Sequence, residues 1–427
     1  MLLHNNSLVC KYLMPSNCVV GFSNIPSIKH AVPSPATISA AGIIGLAVAV
    51  GVGRFAFTPL FPLMVRDGLL TSNAGTLLAT SNYLGYLVGA ILAYRLGMRP
   101  ETLLRIGLIG IVIVTASVGW TSSVTAWAIL RFLAGAFSAW SLVGTTAWAF
   151  AWLAFLGHPK WAGAVFAGVG IGIAGTGMFC LLTARPSTLA NEMWIELAIL
   201  TCAPTSIALV VSRNTPPIDS SNKSLAAHRL HHAAQPRSRA LIICYSVFGF
   251  GYILPATYLP ALARDLINDP RVFGWAWPIF GIAAAVSTVV ASWMLRRFNR
   301  VQVWAGSQAL MAVGVLLPSI WQSITGIIIA ALFVGGTFMV ITMVGMQEAR
   351  IRAEDDATAI LARMTAGFAF GQLMGPVASA AFAHLTPDAS VGLRYGMQLA
   401  AAGLLITAIY LVQEDRQRTR AKEHYHG

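Results

Sequence analysis

Long apolar runs recur along almost the whole chain, and they limit most strongly what it can fold into. From about Ala36 to Val412 these runs alternate with short polar connections. A run of roughly 20 apolar residues can cross about 30 Å of hydrocarbon as an α-helix. Only 10% of the residues are charged, whereas soluble domains contain roughly 25%. The sequence therefore predicts an all-α integral membrane protein, because so few charges could not cover a surface in water.

Twelve transmembrane helices are predicted, in two groups of six separated by a polar segment. The predicted spans are 37–65, 72–95, 102–121, 124–153, 161–183, 192–212, 240–263, 272–295, 301–320, 323–347, 357–384 and 390–412. The predicted organisation is a cytoplasmic leader, an N-terminal six-helix bundle, a cytoplasmic linker, a C-terminal six-helix bundle and a basic cytoplasmic tail, at 1–35, 36–212, 213–239, 240–412 and 413–427.

The positions of the basic residues predict how the chain is oriented. Loops rich in Lys and Arg stay on the cytoplasmic side of a membrane. Placing both termini inside puts most loop Lys and Arg on that side, including those of the linker and the tail. We therefore expect a multi-pass plasma-membrane protein with both termini cytoplasmic. The net charge of +13 is then a signal of topology, and we predict no nucleic-acid partner.

The two predicted bundles share a sequence motif. The first helix carries Gly-x-Gly, a proline and Arg-Asp over residues 51–67, and the seventh repeats this pattern at the same spacing over residues 249–265. Both copies start from the same side of the membrane. The halves are therefore predicted to be parallel repeats related by a pseudo-two-fold axis along the membrane normal. This arrangement suits alternating access between two bundles.

The fifth and eleventh helices each carry small residues at every fourth position. These stripes are Ala164, Gly168, Gly172 and Thr176 in one helix, and Gly367, Gly371, Gly375 and Ser379 in the other. Small residues let helix backbones approach closely in lipid. Static packing and a sliding surface both remain open as interpretations.

Four sequence segments resemble the major facilitator superfamily, and within it the YbfB/YjiJ type of bacterial transporter. They are residues 51–62 (GVGRFAFTPLFP), 81–85 (SNYLG), 249–260 (GFGYILPATYLP) and 371–376 (GQLMGP). The resemblance extends from about residue 36 to residue 412. It implies a twelve-helix fold with a central cavity between two bundles, and transport of a small molecule across the bacterial inner membrane by alternating access.

Two departures from the superfamily pattern bear on function. The loop signature after the second helix has an aspartate before its arginine, whereas here Tyr94 precedes Arg95. By resemblance Arg95, Gly97 and Arg99 belong to a gating loop, but its ion pair lacks the acid. The fifth-helix signature of drug antiporters expects proline where this chain has Ile173. This difference weakens an interpretation as a drug-efflux antiporter.

Arg54 and Arg131 are predicted to lie inside the first and fourth helices. A charge near the bilayer centre costs about 2.5 to 3.5 kcal/mol, so something must offset that cost. No Asp or Glu falls in the middle of an N-terminal helix, and we therefore predict that both arginines bind substrate or form a gate. The alternatives are an internal salt bridge or hydrogen bonds to helix carbonyls. Arg363 lies nearer a helix end, where its side chain can reach the interface.

Four further polar side chains are predicted at membrane depth, where polar groups turn towards the protein interior. They are Asn82, Tyr83, Tyr252 and Gln372. Each one alone can equally form a hydrogen bond between helices. Together with the two arginines they outline a predicted substrate cavity that suits a small organic anion.

Glu196 is the predicted coupling residue, because it is the carboxylate placed to reach such a cavity. A solvated position at the outer end of its helix is the alternative, and the coupling proton or ion stays open. The competing transport function is proton-linked efflux of drugs or sugars, which twelve tryptophans and 14 methionines would favour by lining an apolar pocket. That function would require an acid in the cavity.

A membrane-embedded enzyme is the candidate from a different class. It would need a nucleophile, a base or metal ligands at helical spacing, and the sequence shows no such set. The cysteines also lack metal-ligand spacing. We therefore predict a transporter rather than an enzyme, without catalytic residues, metal or cofactor, and a monomer in the lipid bilayer.

Overall fold

The computed structural model describes residues 33–185, 187–215, 236–266, 270–353, 357–385 and 389–426. These residues form twelve long helices and no strand. In chain order the helices are α1 (Pro35–Arg66), α2 (Ser72–Leu96), α3 (Pro100–Gly119), α4 (Val124–Phe155), α5 (Pro159–Thr183), α6 (Ala190–Asn214), α7 (Pro236–Leu266), α8 (Pro270–Met294), α9 (Arg300–Ile320), α10 (Ile324–Arg352), α11 (Ala357–Leu385) and α12 (Ala389–His426).

The predicted all-α fold with twelve spans is confirmed, and most helix ends lie within a few residues of their predicted positions. Eleven of the helices are long and apolar enough to cross a membrane over their described residues. The remaining one, α11, carries Arg363 and Gln372 within its length. The largest difference is at α12, which continues past residue 412 to His426.

Local sequence explains where several helices begin and end. Ser34 caps α1 by accepting a hydrogen bond from the Thr37 N–H, and Ser123 caps α4 in the same way. These hydroxyls satisfy N–H groups that have no partner within the helix. The α2 helix ends at Gly97, which has a φ of 55°. Glycine adopts this left-handed conformation without the steric penalty of a side chain.

The small-residue stripes of α5 and α11 pack against the first helix of their own half. Gly168 and Gly172 of α5 lie against Ile43 and Ala47 of α1, so closely that a Cβ at either glycine would overlap the α1 backbone. Gly371 of α11 lies equally close to the backbone of α7. These contacts are tight packing within each half, and they support the static interpretation of the stripes.

The N-terminal half meets the C-terminal half mainly where α2 packs on α11 and α5 packs on α8. Gly170 of α5 and Gly281 of α8 again leave no room for a Cβ against the facing backbone. Close approach of two backbones maximises van der Waals contact, which drives helix association in lipid.

We call the face where α6 ends and α7 begins the linker face. Arg105, at the start of α3, donates to Ser212 near the end of α6 on this face. In the C-terminal half, Glu348 accepts from Arg300 (3.1 Å) and from Arg352 (2.7 Å). Charged groups thus hold the ends of neighbouring helices together here.

On the opposite face, the Arg-Asp pair of the repeated motif ties α1 to the connection between α5 and α6. Arg66 donates to the carbonyl of Thr188 (2.6 Å), and Asp67 accepts from the Ala190 N–H (2.7 Å). The corresponding side chains in residues 264–265 lie outside the described part of the structure.

Candidate functional site

The site begins at an irregular stretch of α1. Residues 47–52 form a π-helical segment and residues 53–56 a turn. Gly53 and Phe55 donate five residues back, to Val48 and Val50. Pro59 has no N–H to offer the Phe55 carbonyl, which instead accepts from Thr58. The shifted pattern leaves carbonyls of the turn free to accept hydrogen bonds from another helix.

Arg131 of α4 takes up two of these carbonyls. Its Nη1 donates to Gly53 O (3.3 Å) and its Nη2 to Arg54 O (3.1 Å), and the residue is 5% exposed. The guanidinium carbon also lies 4.7 Å from the centre of the Phe57 ring. Arg131 therefore makes the hydrogen bonds to helix carbonyls that the sequence left open as its alternative role.

Arg54 projects from the same turn towards the other half of the protein. Its Nη2 donates to Gln372 Oε1 of α11 at 2.7 Å, and the two residues are 7% and 0% exposed. Its guanidinium carbon lies 4.2 Å from the centre of the Tyr86 ring. Such cation–π contacts favour a desolvated arginine. The structure thus brings the predicted Arg54 and Gln372 together across the two halves.

A cavity of about 30 Å³ lies beside Arg54, between the two halves. This volume has room for about two water molecules, which is too little for an organic substrate. Most of its lining is aliphatic or aromatic. The polar residues that line it are Arg54, Tyr86, Tyr245, Tyr252, Thr342 and Thr365. No carboxylate is among the described lining residues.

Three buried polar atoms at and next to this cavity have no hydrogen-bond partner within the described residues. They are Arg54 Nε, Gln372 Nε2 and Tyr252 Oη. The Tyr252 ring itself stacks on Phe338, with ring centres 5.0 Å apart. Because buried polar groups are normally paired, these atoms offer hydrogen bonds to a ligand.

The other predicted cavity residues are not among the residues that line the cavity. Asn82 donates through Nδ2 to the Arg131 carbonyl (2.9 Å), so its side chain links α2 to α4. Tyr83 is half-buried on α2. Glu196 is exposed on α6, and Trp194 of the same helix instead lines a small cavity of about 10 Å³ beside Arg131.

The predicted gating loop lies at the end of α2, on the linker face. Arg95 and Arg99 are exposed, and Gly97 provides the turn between them. Tyr94, which stands where the superfamily has its aspartate, contacts Arg363 of α11. The Tyr94 hydroxyl accepts a hydrogen bond from Arg363, whose guanidinium carbon lies 4.4 Å from the ring centre. A neutral tyrosine thus joins the halves here.

Sequence reasoning missed most of the cavity lining. Tyr86 lies one helical turn from Asn82, and this spacing could have placed it on the same side of α2. Tyr245, Phe338 and Phe368 gave no signal, because aromatic residues are ordinary in apolar helices. Within the described residues no group of three His, Cys, Asp or Glu could hold a metal ion.

Comparison with known proteins bears on the fold and the family of the chain. The profile of a family described as "Uncharacterised MFS-type transporter YbfB" matches residues 46–415. No curated protein sequence matches the chain. The crystal structure of the human organic anion transporter MFSD10 (TETRAN) is similar at a TM-score of 0.62, with 13% identity over 89% of this chain and 100% of that chain.

A second similar structure is FucP, a major facilitator superfamily transporter in its outward conformation. It has a TM-score of 0.62 and 14% identity, over 88% of this chain and 99% of that chain. At such identities these likenesses show the fold alone. The family profile spans most of the chain, however, and the protein therefore belongs to the YbfB family of major facilitator transporters, a family of multi-pass membrane proteins that move small molecules.

Proposed function

We propose that the protein is a secondary transporter of small organic anions and that Arg54 binds the anionic group. The observation that carries this proposal is the position of Arg54: buried between the two halves and hydrogen-bonded to a neutral amide. A charge at this depth is retained where it serves a function or has a partner. No carboxylate in the described cavity lining competes for it.

The surroundings of Arg54 favour an anion with one charge and an apolar body. Arg131, the other buried arginine, already donates to two backbone carbonyls. Aromatic rings and aliphatic side chains dominate the rest of the lining. The name of MFSD10 includes organic anion transport, but this chain shares only its fold, so the proposal depends on Arg54.

The small cavity is consistent with transport by alternating access. The cavity beside Arg54 is only about 30 Å³, so the two halves are closed at this point. They must separate to admit a solute. The proposal includes the predicted two-bundle organisation, the inner-membrane location and the cytoplasmic termini. The positive loops on the linker face support that orientation.

Proton-linked efflux of drugs or sugars remains the second candidate. It predicts an acid that titrates in the cavity. Glu196, the predicted coupling residue, is exposed on α6 and is not among the lining residues. The described lining contains no acid, and an anion is therefore favoured over a cation or a sugar.

A thermal-shift assay on the purified protein in detergent tests this function. The probes are benzoate, succinate, glucose and benzyltrimethylammonium. A ligand at 100 times its Kd stabilises the folded state by about 2.7 kcal/mol, and we expect benzoate to raise the melting temperature most. Arg54→Gln should abolish the benzoate shift. Arg363→Gln is the matched control, because it removes a charge from α11 away from the cavity and should keep the shift.

Two results would contradict an anion transporter. One is stabilisation by glucose or benzyltrimethylammonium that Arg54→Gln leaves unchanged. The other is a benzoate shift of equal size in wild type and in Arg54→Gln. Uptake of labelled benzoate into proteoliposomes then distinguishes transport from binding alone.

A further inference from the structure

The hydrogen bond between Arg54 and Gln372 occupies half of one edge of the arginine. The Nε and Nη2 atoms form that edge, and a carboxylate can bind both at once. Here Nη2 donates to Gln372 Oε1, while Nε has no partner within the described residues. The Gln372 Nε2 atom is likewise buried and unpaired. The amide oxygen thus stands where one oxygen of an anion would bind.

We propose that Gln372 is a surrogate ligand for Arg54 that allows the empty transporter to close. Its amide oxygen satisfies the arginine in the absence of substrate, and the carboxylate of an arriving anion displaces it. This inference rests on the proposed function for the identity of the ligand. Its conformational part depends on the contact between α1 and α11 alone.

The chemistry of glutamine suits this role. A neutral amide satisfies one donor of the guanidinium and leaves its charge uncompensated. A carboxylate satisfies two donors and the charge, so an anion competes successfully for the same edge. An acidic residue at this position would instead hold the arginine in a permanent ion pair. The hydrogen bond from Arg54 to Gln372 is thus strong enough to hold the closed state and weak enough for an anion to displace it.

The proposal predicts how the empty protein behaves when the amide is removed. In Gln372→Leu, closure would bury the Nη2 donor of Arg54 without a partner. Leaving a buried charged donor unpaired disfavours that state roughly tenfold or more. Empty Gln372→Leu should therefore populate open conformations, and it should exchange labelled for unlabelled substrate while losing net transport without a counter-substrate.

Distances between spin labels measure closure without any ligand. One pair replaces Leu96 and Phe298 on the linker face, and a second pair replaces Leu189 and Trp321 on the opposite face. All four positions are exposed, at 57%, 50%, 54% and 47%. Double electron–electron resonance in a cysteine-free background gives the distance distribution on each face.

The matched control is Gln308→Leu. Gln308 is a buried glutamine of α9 whose hydrogen bonds, to Trp304, Thr407 and the Cys244 carbonyl, stay within the C-terminal half. We expect Gln372→Leu to lengthen the distances on one face and Gln308→Leu to leave both unchanged. Equal distributions in wild type and Gln372→Leu, or equal lengthening in both variants, would overturn the proposal.

A second variant keeps the test decisive if Gln372→Leu folds poorly. In Gln372→Glu the introduced carboxylate should pair with Arg54, so the closed distances persist and benzoate no longer raises the melting temperature. A benzoate shift of wild-type size in this variant would overturn the proposal. If benzoate fails to shift the wild type while Gln372→Leu still opens the protein, the anion function fails and the closing role of Gln372 stands.

Discussion

Replacing Arg131 with lysine should destabilise the protein while leaving the anion site intact. The substitution keeps a positive charge at the same depth, so the cost of burying a cation stays similar. What changes is the geometry of donation. Gly53 O and Arg54 O are bound by different nitrogens of the guanidinium, at 3.3 and 3.1 Å. A lysine ammonium carries all of its N–H donors on one nitrogen, so it cannot occupy the positions of both guanidinium nitrogens.

The expected loss is therefore one hydrogen bond from a charged donor, worth about 1.5 to 3 kcal/mol. Water cannot replace it, because Arg131 is only 5% exposed and the turn lies within a membrane helix. Unfolding by sodium dodecyl sulfate, followed by tryptophan fluorescence, measures the change in the free energy of unfolding.

Arg54→Lys is the matched substitution and should show the opposite pattern. Arg54 donates to Gln372, and a lysine ammonium can keep that single hydrogen bond. We expect the free energy of unfolding to change by less than about 1 kcal/mol and the benzoate affinity to fall roughly tenfold, because a lysine loses the two-donor edge. Wild-type stability in Arg131→Lys would refute the carbonyl-binding role. Loss of benzoate binding in Arg131→Lys but not in Arg54→Lys would reverse the two assignments.

Three other predictions concern the ends and the packing of helices. Burial raises the pKa of Asp67, but hydrogen bonds from Arg66 and from the first N–H of α6 outweigh this effect, so the net pKa is lowered. The wild-type protein should therefore lose stability as the pH falls below about 4. The Asp67→Asn variant should lack this loss in a pH titration of unfolding. Tyr94→Phe removes the hydroxyl that accepts from Arg363 but keeps the ring contact, so linker-face label distances should broaden less than in Tyr94→Ala. Gly51→Val places a side chain against the α5 backbone and should destabilise the protein by about 1 to 3 kcal/mol. The control is Gly68→Ala, where the added Cβ meets no neighbouring atom and the only expected strain comes from the positive φ of residue 68.

Much of the fold could be predicted because lipid leaves few options for the backbone. A span must be long, apolar and helical, so the lengths of the apolar runs predict the helices directly. The end of α12 was predicted less well. Its polar residues after 412 indicate that the chain leaves the membrane, but not whether the helix continues, as it does to His426.

The site could be predicted only through its charged and amide residues and through Tyr252, which lines the cavity. Polar groups are costly in lipid, which singles out Arg54 and Gln372, and the structure places them in contact; their role in binding stays a prediction. The roles of the two arginines could not be separated from sequence. That separation depends on the π-helical segment and the turn of α1 at residues 47–56, whose hydrogen bonds the sequence pattern does not indicate.

The break in α1 explains why two arginines so close together should differ in function. It turns two carbonyls towards α4, where Arg131 binds them within the N-terminal half. Both partners lie in one half, so we expect these bonds to persist when the halves separate. Arg54, on the same turn, finds its polar partner on α11, in the C-terminal half. In the proposed cycle of alternating access, Arg54 loses that hydrogen bond when the halves part, while Arg131 keeps both of its own. The conformation of the protein therefore changes how well Arg54 alone is satisfied, and a ligand that satisfies Arg54 can shift the balance between conformations by its differential affinity for them.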